Sequence, residues 1–431
     1  MTITGRFVAL LASSVAVMAL AVQSWAGFWL INGVLVCIAL LDAALAGSPR
    51  ALTMTRSGVN AVRLGESADV LLAVHNTGRR PLRGVLRDAW PPSAGVVATR
   101  HRVRLPVDAH VSITTTLSPT RRGVRRPDRV TVRSYGPLGL AGRQTTHRVA
   151  WEVRTLPRFS SRKHLPSRLA RLRELDGSTA IHIRGQGTEF DSLREFVSGD
   201  DARSIDWRAT ARASNVMVRT WRPERDRQVL IVLDTGRSSA ARIGTGTRLD
   251  DAMDAAMLLA VLASRAGDRV DVLAYDRQVR ADVRGRAATE VLGAVSDALG
   301  DVEPEFAETD ARGMVSQILR RAPHHALVVL LTSIEPAIIE SGLLPVMPML
   351  TSRHTVVVAS VADPRLAEMA LARGGIAEVY DAASAATATA ARNRVTATLT
   401  RTGVTVIDAA PDLIAPRLAD TYMALKSSGR L

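Results

Sequence analysis

Two apolar runs near the start of the chain, 7–23 (FVALLASSVAVMALAVQ) and 28–46 (FWLINGVLVCIALLDAALA), constrain this fold more than any other feature. A bilayer core of roughly 30 Å takes about 20 apolar residues in a helix, so the second run is long enough to span and the first just long enough. Asp42 is the only charge in either, and Trp25, Phe28 and Trp29 cluster at the joint, where an aromatic belt would sit. Arg6 flanks the entry, Arg50, Arg56 and Arg63 follow the exit, and the joint Ser24-Trp25-Ala26-Gly27 carries no charge. The positive-inside rule then puts both ends of a hairpin, and all that follows, on the cytoplasmic side. A cleaved signal peptide is the rival, since Ser24-Trp25-Ala26 loosely fits a cleavage site; the second run would then act as a stop-transfer segment. Cys37, the only cysteine, lies inside the second run, which excludes a disulfide framework and a cysteine zinc site.

Residues 51–155 read as a basic β-rich, sandwich-like module. Alternating segments at 68–75, 82–90, 110–117, 129–134 and 146–155 are punctuated by Asn76-Thr77-Gly78, Pro91-Pro92 and Gly136-Pro137-Leu138-Gly139. The chain has a formal net charge of +15, and residues 51–160 alone carry +13, whereas 228–431 carry −3. Placed just after a membrane span, this charge suits anionic headgroups; Arg121, Arg122, Arg125, Arg126 and Arg129 form the densest cluster. Nucleic acid is not expected as a partner, because no helix-turn-helix and no aromatic-laced platform accompanies the charge.

Residues 156–227 form a junction in which acidic and basic residues interleave. Glu189, Arg194, Gly199, Asp200, Asp201, Arg203, Asp206, Trp207 and Arg212 stand out. Asp191 and Asp201 suit helix N-caps, Gly199 suits a helix end, and Trp207 and Trp221 suit anchors packed on the next domain. With an arginine near almost every carboxylate, ion-paired order is the expected role. The competing reading is a metal-assisted hydrolase using Asp200, Asp201 and Asp206.

The run G-T-E-F-x-x-L-R-E-F-x-x-G-D-D-x-R-x-I-D-W-R-A-T-A-R, followed by V-R and E-R-D, resembles the bacterial domain-of-unknown-function 58 family. The likeness extends in plan to the hairpin, to Arg121-Arg122-Gly123 and to the G-P-L-G-L turn at 136–140. It implies a protein of the bacterial inner membrane with a von Willebrand factor A-like domain. The partner implied is a MoxR-type AAA+ ATPase, and no reaction is implied.

Residues 228–431 read as a doubly wound α/β domain. Apolar strands at 228–234, 269–276, 326–333, 354–363 and 404–409 alternate with helices near 249–267, 287–300, 311–321, 382–402 and 411–425. Ligands of such sheets sit beyond the strands' carboxyl ends. At the first of these ends stands Asp234-Thr235-Gly236-Arg237-Ser238, where the resemblance implies Asp-x-Ser-x-Ser of a metal-dependent adhesion site. Asp234 and Ser238 match, Thr309 is the candidate downstream hydroxyl, Gly236 replaces the first serine, and Ser333 stands where an acidic residue is usual. A Mg²⁺ site would lack one hydroxyl and one carboxylate, which weakens it. The rim at Asp234, Ser238, Thr309 and Ser333 is expected to dock proteins. No nucleophile elbow, metalloprotease motif or phosphate loop is present, and no small-molecule substrate is evident. The whole reads as a membrane-bound scaffold or adaptor, not an enzyme, working with the ATPase in assembly or maturation of protein complexes.

Overall fold

The structure, a computed structural model, describes residues 1–21, 24–182, 189–197, 200, 202–213, 215–222 and 227–431. The chain forms two compact units, Met1–Leu156 and Pro157–Leu431.

The first unit opens with a strand that the composition gives no hint of, β1 (Thr2–Ile3), followed by helices α1 (Gly5–Ala21) and α2 (Trp25–Leu45). Among the described residues, only the helix beginning at Trp25 is long and apolar enough to cross a membrane. At 17 described residues, α1 spans about 26 Å and is a shorter apolar helix. Ahead of it Thr4 N–H donates to Leu140 O, so the first residues are held by the β module. The helices pack side by side through Phe7, Leu11, Leu35, Ile38 and Ala39, and Ser14 Oγ lies 2.9 Å from Asn32 Oδ1.

Ten further strands follow: β2 (Leu52–Gly58), β3 (Ala61–Arg63), β4 (Ala68–Asn76), β5 (Leu82–Asp88), β6 (Arg100–Leu105), β7 (His110–Leu117), β8 (Gly123–Arg125), β9 (Val130–Tyr135), β10 (Ala141–His147) and β11 (Val153–Leu156). They build sheets of order β1-β10-β9-β5-β6, β2-β4-β7 and β3-β11-β8. Alternate residues turn inward. Leu72 and Val74 of β4 and Ile113 of β7 meet Leu86 of β5, Val103 of β6 and Val132 of β9 in one core. Across that core Arg56 of β2 grips the carboxylate of Asp88 of β5 at 2.5 and 3.1 Å, both side chains being buried. Trp90 Nε1 donates to Asp88 at 3.0 Å, which helps to satisfy a charge otherwise costly to bury. The single strand expected over 146–155 is two, β10 and β11, which belong to different sheets.

The end of α2 is fastened to this module by Asp42, the lone charge of the apolar run. It is 1% exposed, and its carboxylate accepts the amides of Leu138 (2.8 Å), Leu140 (2.8 Å) and Ala141 (3.0 Å). The G-P-L-G-L turn is thus an amide cradle for the aspartate. A Cβ on Gly136 would overlap Asp42. Two carbonyls left free at the helix end are also met, Ala43 O by Arg143 Nε (3.0 Å) and Ala44 O by Arg80 (2.7 Å).

The second unit starts with α3 (Leu165–His182), which packs with Phe159 and Leu172 into the core of the α/β domain. A ribbon of β12 (Glu189–Glu195) and β13 (Met217–Arg222) encloses the short helix α4 (Trp207–Thr210). The domain then runs β14 (Gln228–Asp234), the small ribbon β15 (Arg242–Ile243) and β16 (Gly246–Thr247), α5 (Arg248–Arg265), β17 (Arg269–Tyr275), β18 (Val279–Val283), α6 (Val291–Gly300) and α7 (Ala311–Arg321). It ends with β19 (Ala326–Leu331), α8 (Pro336–Ile338), α9 (Met347–Thr351), β20 (Thr355–Val361), α10 (Pro364–Leu371), α11 (Ile376–Arg401), β21 (Thr405–Ala409) and α12 (Pro411–Ser427). The sheet order is β18-β17-β14-β19-β20-β21, with all pairs parallel except β17 with β18. Ile231 and Leu233 face α5, α6 and α12, while Leu230 and Val232 face α7, α9 and the end of α11. Both faces are covered, which is why the strands read as continuous apolar runs.

Two expectations follow. Asp42→Ala leaves three amides without their acceptor and should cost roughly 3 kcal/mol or more of stability. Gly136→Ala should be comparably harmful through overlap. Thermal melts of the full chain in neutral detergent check both, and an unchanged melting point for either removes the cradle from the account.

The second expectation concerns His354, which is buried with neither ring nitrogen hydrogen-bonded among the described residues. Burial first, then His325 and Arg353, hold its pKa below the ordinary value. The unfolded chain therefore binds the proton more readily. The stability contributed by the neutral ring is present above about pH 6.5 and is lost as the pH falls below it. Melts between pH 8 and 5.5 should fall more steeply for wild type than for His354→Leu.

Candidate functional site

The carboxyl ends of β14, β17, β19 and β20 form one edge of the parallel sheet, and Asp234 closes β14 there. Its Oδ1 accepts the Gly236 amide at 2.9 Å and the Thr309 hydroxyl, and its Oδ2 accepts the Thr332 hydroxyl at 2.6 Å. Ser239 Oγ donates to the Asp234 carbonyl. A Cβ at Gly236 would overlap the Thr309 hydroxyl, so the glycine in place of a serine is what lets Thr309 reach the carboxylate.

The segment carrying Thr309 is laid across the strand ends by backbone bonds. Glu305 N–H donates to Thr235 O (2.7 Å), Arg237 N–H to Ala307 O (2.9 Å) and Asp310 N–H to Asp276 O (2.8 Å). Asp276, at the end of β17, is a second buried carboxylate. It accepts Thr235 Oγ1 (3.0 Å), the amides of Arg277 (2.5 Å) and Gln278 (3.1 Å), and Arg280 Nε (2.6 Å). Burial works to raise its pKa, but Arg280 and the other donors outweigh it and hold the group below the usual carboxylate range.

Beside Asp234, Arg248 at the head of α5 donates from one nitrogen to Ser238 O (2.9 Å), Ser333 Oγ (3.0 Å) and Glu335 Oε1 (2.9 Å). Ser333 Oγ also donates to Glu335 (3.0 Å). Asp234, Ser238, Thr309 and Ser333 therefore do share one edge, but through different partners. Asp234 and Thr309 bond each other, whereas Ser238 and Ser333 meet at the guanidinium. Thr235, Arg248, Asp276 and Thr332 were not singled out from the sequence. Asp276 and Thr332 each follow an apolar strand directly, the same signal that marks Asp234.

This donor set does not fit a magnesium ion. Both oxygens of Asp234 are engaged by hydrogen bonds, Gly236 supplies no hydroxyl, and Ser333 is turned to a cation. Among the described residues, no three His, Cys, Asp or Glu side chains are grouped to hold a metal.

The junction residues form a separate, self-contained network. Asp200 accepts Arg194 at 2.5 and 2.8 Å and the Val197 amide at 2.9 Å. Asp206 caps α4 through the amides of Arg208 and Ala209 and accepts Arg219 Nε at 2.7 Å. The Ala209 amide, then Arg219, hold its pKa down. Asp200 and Asp206 are thus tied to different arginines, and Asp201, with Gly199, lies outside the described residues. Glu189 pairs through its backbone with Arg222, while Arg203 and Arg212 are exposed. Trp207, expected to pack inward, is 69% exposed, because its place at the start of the four-residue helix α4 turns it to solvent.

In the first unit the basic cluster is divided. Arg121 is exposed, Arg122 is buried, and Arg125 donates to the carbonyls of Arg121 (2.7 Å) and Arg122 (2.6 Å). Arg126 pairs with Glu152 at 3.0 Å and Arg129 with Asp128 at 2.9 Å. Strand β8 runs through the cluster, which is why its members point different ways.

Residues 192–403 match the model of a family described as "Protein of unknown function DUF58". This part of the chain is similar to that family. The match starts within β12 and takes in the Asp200–Asp206 network and the whole Asp234 edge. No curated protein matches the chain. Among solved structures, the CARDB domain of a Pyrococcus furiosus protein is 15% identical over 26% of this chain and 94% of its own, with a TM-score of 0.19. Part of the Escherichia coli alpha-2-macroglobulin is 12% identical over 26% of this chain and 17% of that one, with a TM-score of 0.21. A Listeria innocua beta-glucosidase is 15% identical over 25% and 16%, with a TM-score of 0.17. These likenesses are too slight to bear on fold or function.

The Gly236–Thr309 approach gives a sharp test. Gly236→Ala and Thr309→Ala should each destabilise the α/β domain, by roughly 1–3 kcal/mol. The double variant should lose less than the two combined, since removing the hydroxyl makes room for the methyl group. Additive losses in chemical denaturation would show that the two positions do not compete for one space.

Proposed function

We propose that this protein is a membrane-anchored, cytoplasm-facing scaffold or adaptor of the bacterial inner membrane. Its first unit is read as a sandwich-like module and its α/β domain as von Willebrand factor A-like, docking proteins at the carboxyl edge of the sheet. A MoxR-type AAA+ ATPase is the first candidate partner, in assembly or maturation of protein complexes. The strand order with its antiparallel edge strand supports the domain reading, and the apolar helix α2 supports the anchor.

The observation that carries the docking role is what stands at that edge. The carboxylates of Asp234 and Asp276 are occupied from within by hydroxyls, amides and Arg280. Around them are charges set in pairs, Arg237 with Glu308 and Arg248 with Glu335. On the same edge Asp363 follows β20 and caps α10, and the α10–α11 connection carries large apolar side chains in water. Leu371 is 80%, Ile376 81% and Tyr380 72% exposed. An apolar patch rimmed by charge is the pattern of a protein-binding surface.

The test is co-purification from detergent-solubilised membranes. A MoxR-type ATPase should be recovered with wild type and lost with Leu371→Asp/Tyr380→Asp. Those side chains are exposed, so the variant should melt like wild type. Equal recovery from both would remove the docking surface, and no recovery from either would remove the partner.

A further inference from the structure

The five-stranded sheet of the first unit has one face in the core and one in water, and the outer face is lined with arginine. On β6 the outward residues include Arg100, Arg102 and Arg104, on β5 Arg83 and Arg87, and on β9 Arg133; all six are exposed. The register sets like against like. Arg83 lies opposite Arg104 and Arg87 opposite Arg100, while Val85 lies between Arg102 and Arg133. Directly opposed like charges on neighbouring strands are destabilising.

Elsewhere in this unit Arg56, Arg126 and Arg129 have carboxylates, and Arg80 and Arg143 have helix-end carbonyls. On this face Arg133 donates only to Gln144, at 3.0 and 3.1 Å, and the other five make no ion pair among the described residues. A hollow of about 460 Å³ lies over the face, between Arg87, Arg100, Arg102 and Arg133. Six guanidinium groups set on one exposed face without a carboxylate favour an external anion.

The position of the face says which anion. Strand β5 begins beside the exit of α2: Arg80 caps Ala44 O, and Gly47 lies so close to Pro81 that a Cβ there would overlap its carbonyl. Arg83 and Arg104 are therefore the row nearest the end of the apolar helix. Arg87 is at most about 13 Å further along the strand. Headgroups and one Debye length of about 8 Å together reach that far from the hydrocarbon boundary. A nucleic-acid platform would interleave aromatic side chains, and only Tyr135 is present.

We propose that this arginine face binds the phosphates of anionic phospholipid headgroups at the foot of α2. The proposal rests on the reading of α2 as a membrane anchor. Guanidinium forks match phosphate oxygens bidentately, and several on one sheet face bind headgroups more firmly than one. The lipid supplies the countercharge that the protein lacks.

The test uses the full chain in neutral detergent at 0.15 M salt, with dioctanoyl phosphatidylglycerol and dioctanoyl phosphatidylcholine as probes. Wild type should bind the anionic lipid at least about tenfold more tightly than the zwitterionic one. Each arginine near such a surface is worth roughly fivefold. In Arg83→Gln/Arg102→Gln/Arg104→Gln/Arg133→Gln the preference should fall at least about tenfold, while Arg126→Gln/Arg129→Gln should keep it. Without lipid the quadruple variant should melt no lower than wild type, because the change relieves repulsion. Absence of a preference in wild type, or its survival in the quadruple variant, would overturn the proposal. So would equal binding of inorganic phosphate, or tighter binding of a DNA oligonucleotide. Extraction of membranes with alkaline carbonate separates the two readings. A chain released into solution loses the anchor, whereas a retained chain with no lipid preference loses only this site.

Discussion

A carboxylate taken out of water must be given donors, and this requirement organises the whole chain. Asp42, Asp88, Asp234 and Asp276 are all buried, and each has at least one partner from a segment far away in sequence. Burying such a charge alone would cost far more than the few kcal/mol that separate folded from unfolded chains. The segments that bring the donors are therefore obligatory neighbours. Asp42 joins the apolar helix to the turn at 136–141, and Asp88 joins two sheets. Asp234 joins β14 to the loop at Thr309 and to the end of β19.

The same requirement decides what the sheet edge can do. The sequence around Asp234 suggests a weakened metal site with one serine replaced by glycine. In the fold, that glycine makes room for a threonine hydroxyl, and the carboxylate is satisfied without a cation. Arg248 supplies the positive charge nearby, bound to Ser238, Ser333 and Glu335. An edge built this way presents fixed surface features to a partner and keeps its own reactive groups occupied. The junction follows the same logic, with Asp200 and Asp206 each committed to its own arginine.

The basic charge of the first unit has a different meaning from that of the second. In the α/β domain arginines neutralise buried or half-buried carboxylates, as Arg280 does for Asp276 and Arg392 for Asp408. In the β module the excess of arginine has no such outlet. The loop at 121–129, which holds the densest run in the sequence, is partly neutralised by Glu152 and Asp128. Six further arginines share the outer face of β5, β6 and β9.

Much of the architecture was legible in the residues alone. Apolar runs, alternation and turn residues mark α2, β4, β7, β14, β19 and α5, because each is decided by the periodicity of its own side chains. The end of an apolar strand marks Asp234, and interleaved charges mark the ion-paired junction. Tertiary structure decided what depends on pairing between distant segments. Strand β6, Arg100–Leu105, is not among the expected segments, and it pairs with β5 with its arginines turned outward. Strand β1 is held by its pairing with β10, which no local pattern announces. Thr332, Arg248 and Asp276 acquire roles only when the strand ends come together. Periodicity is local and is written in the chain, whereas the partner of a charge is set by register across the fold.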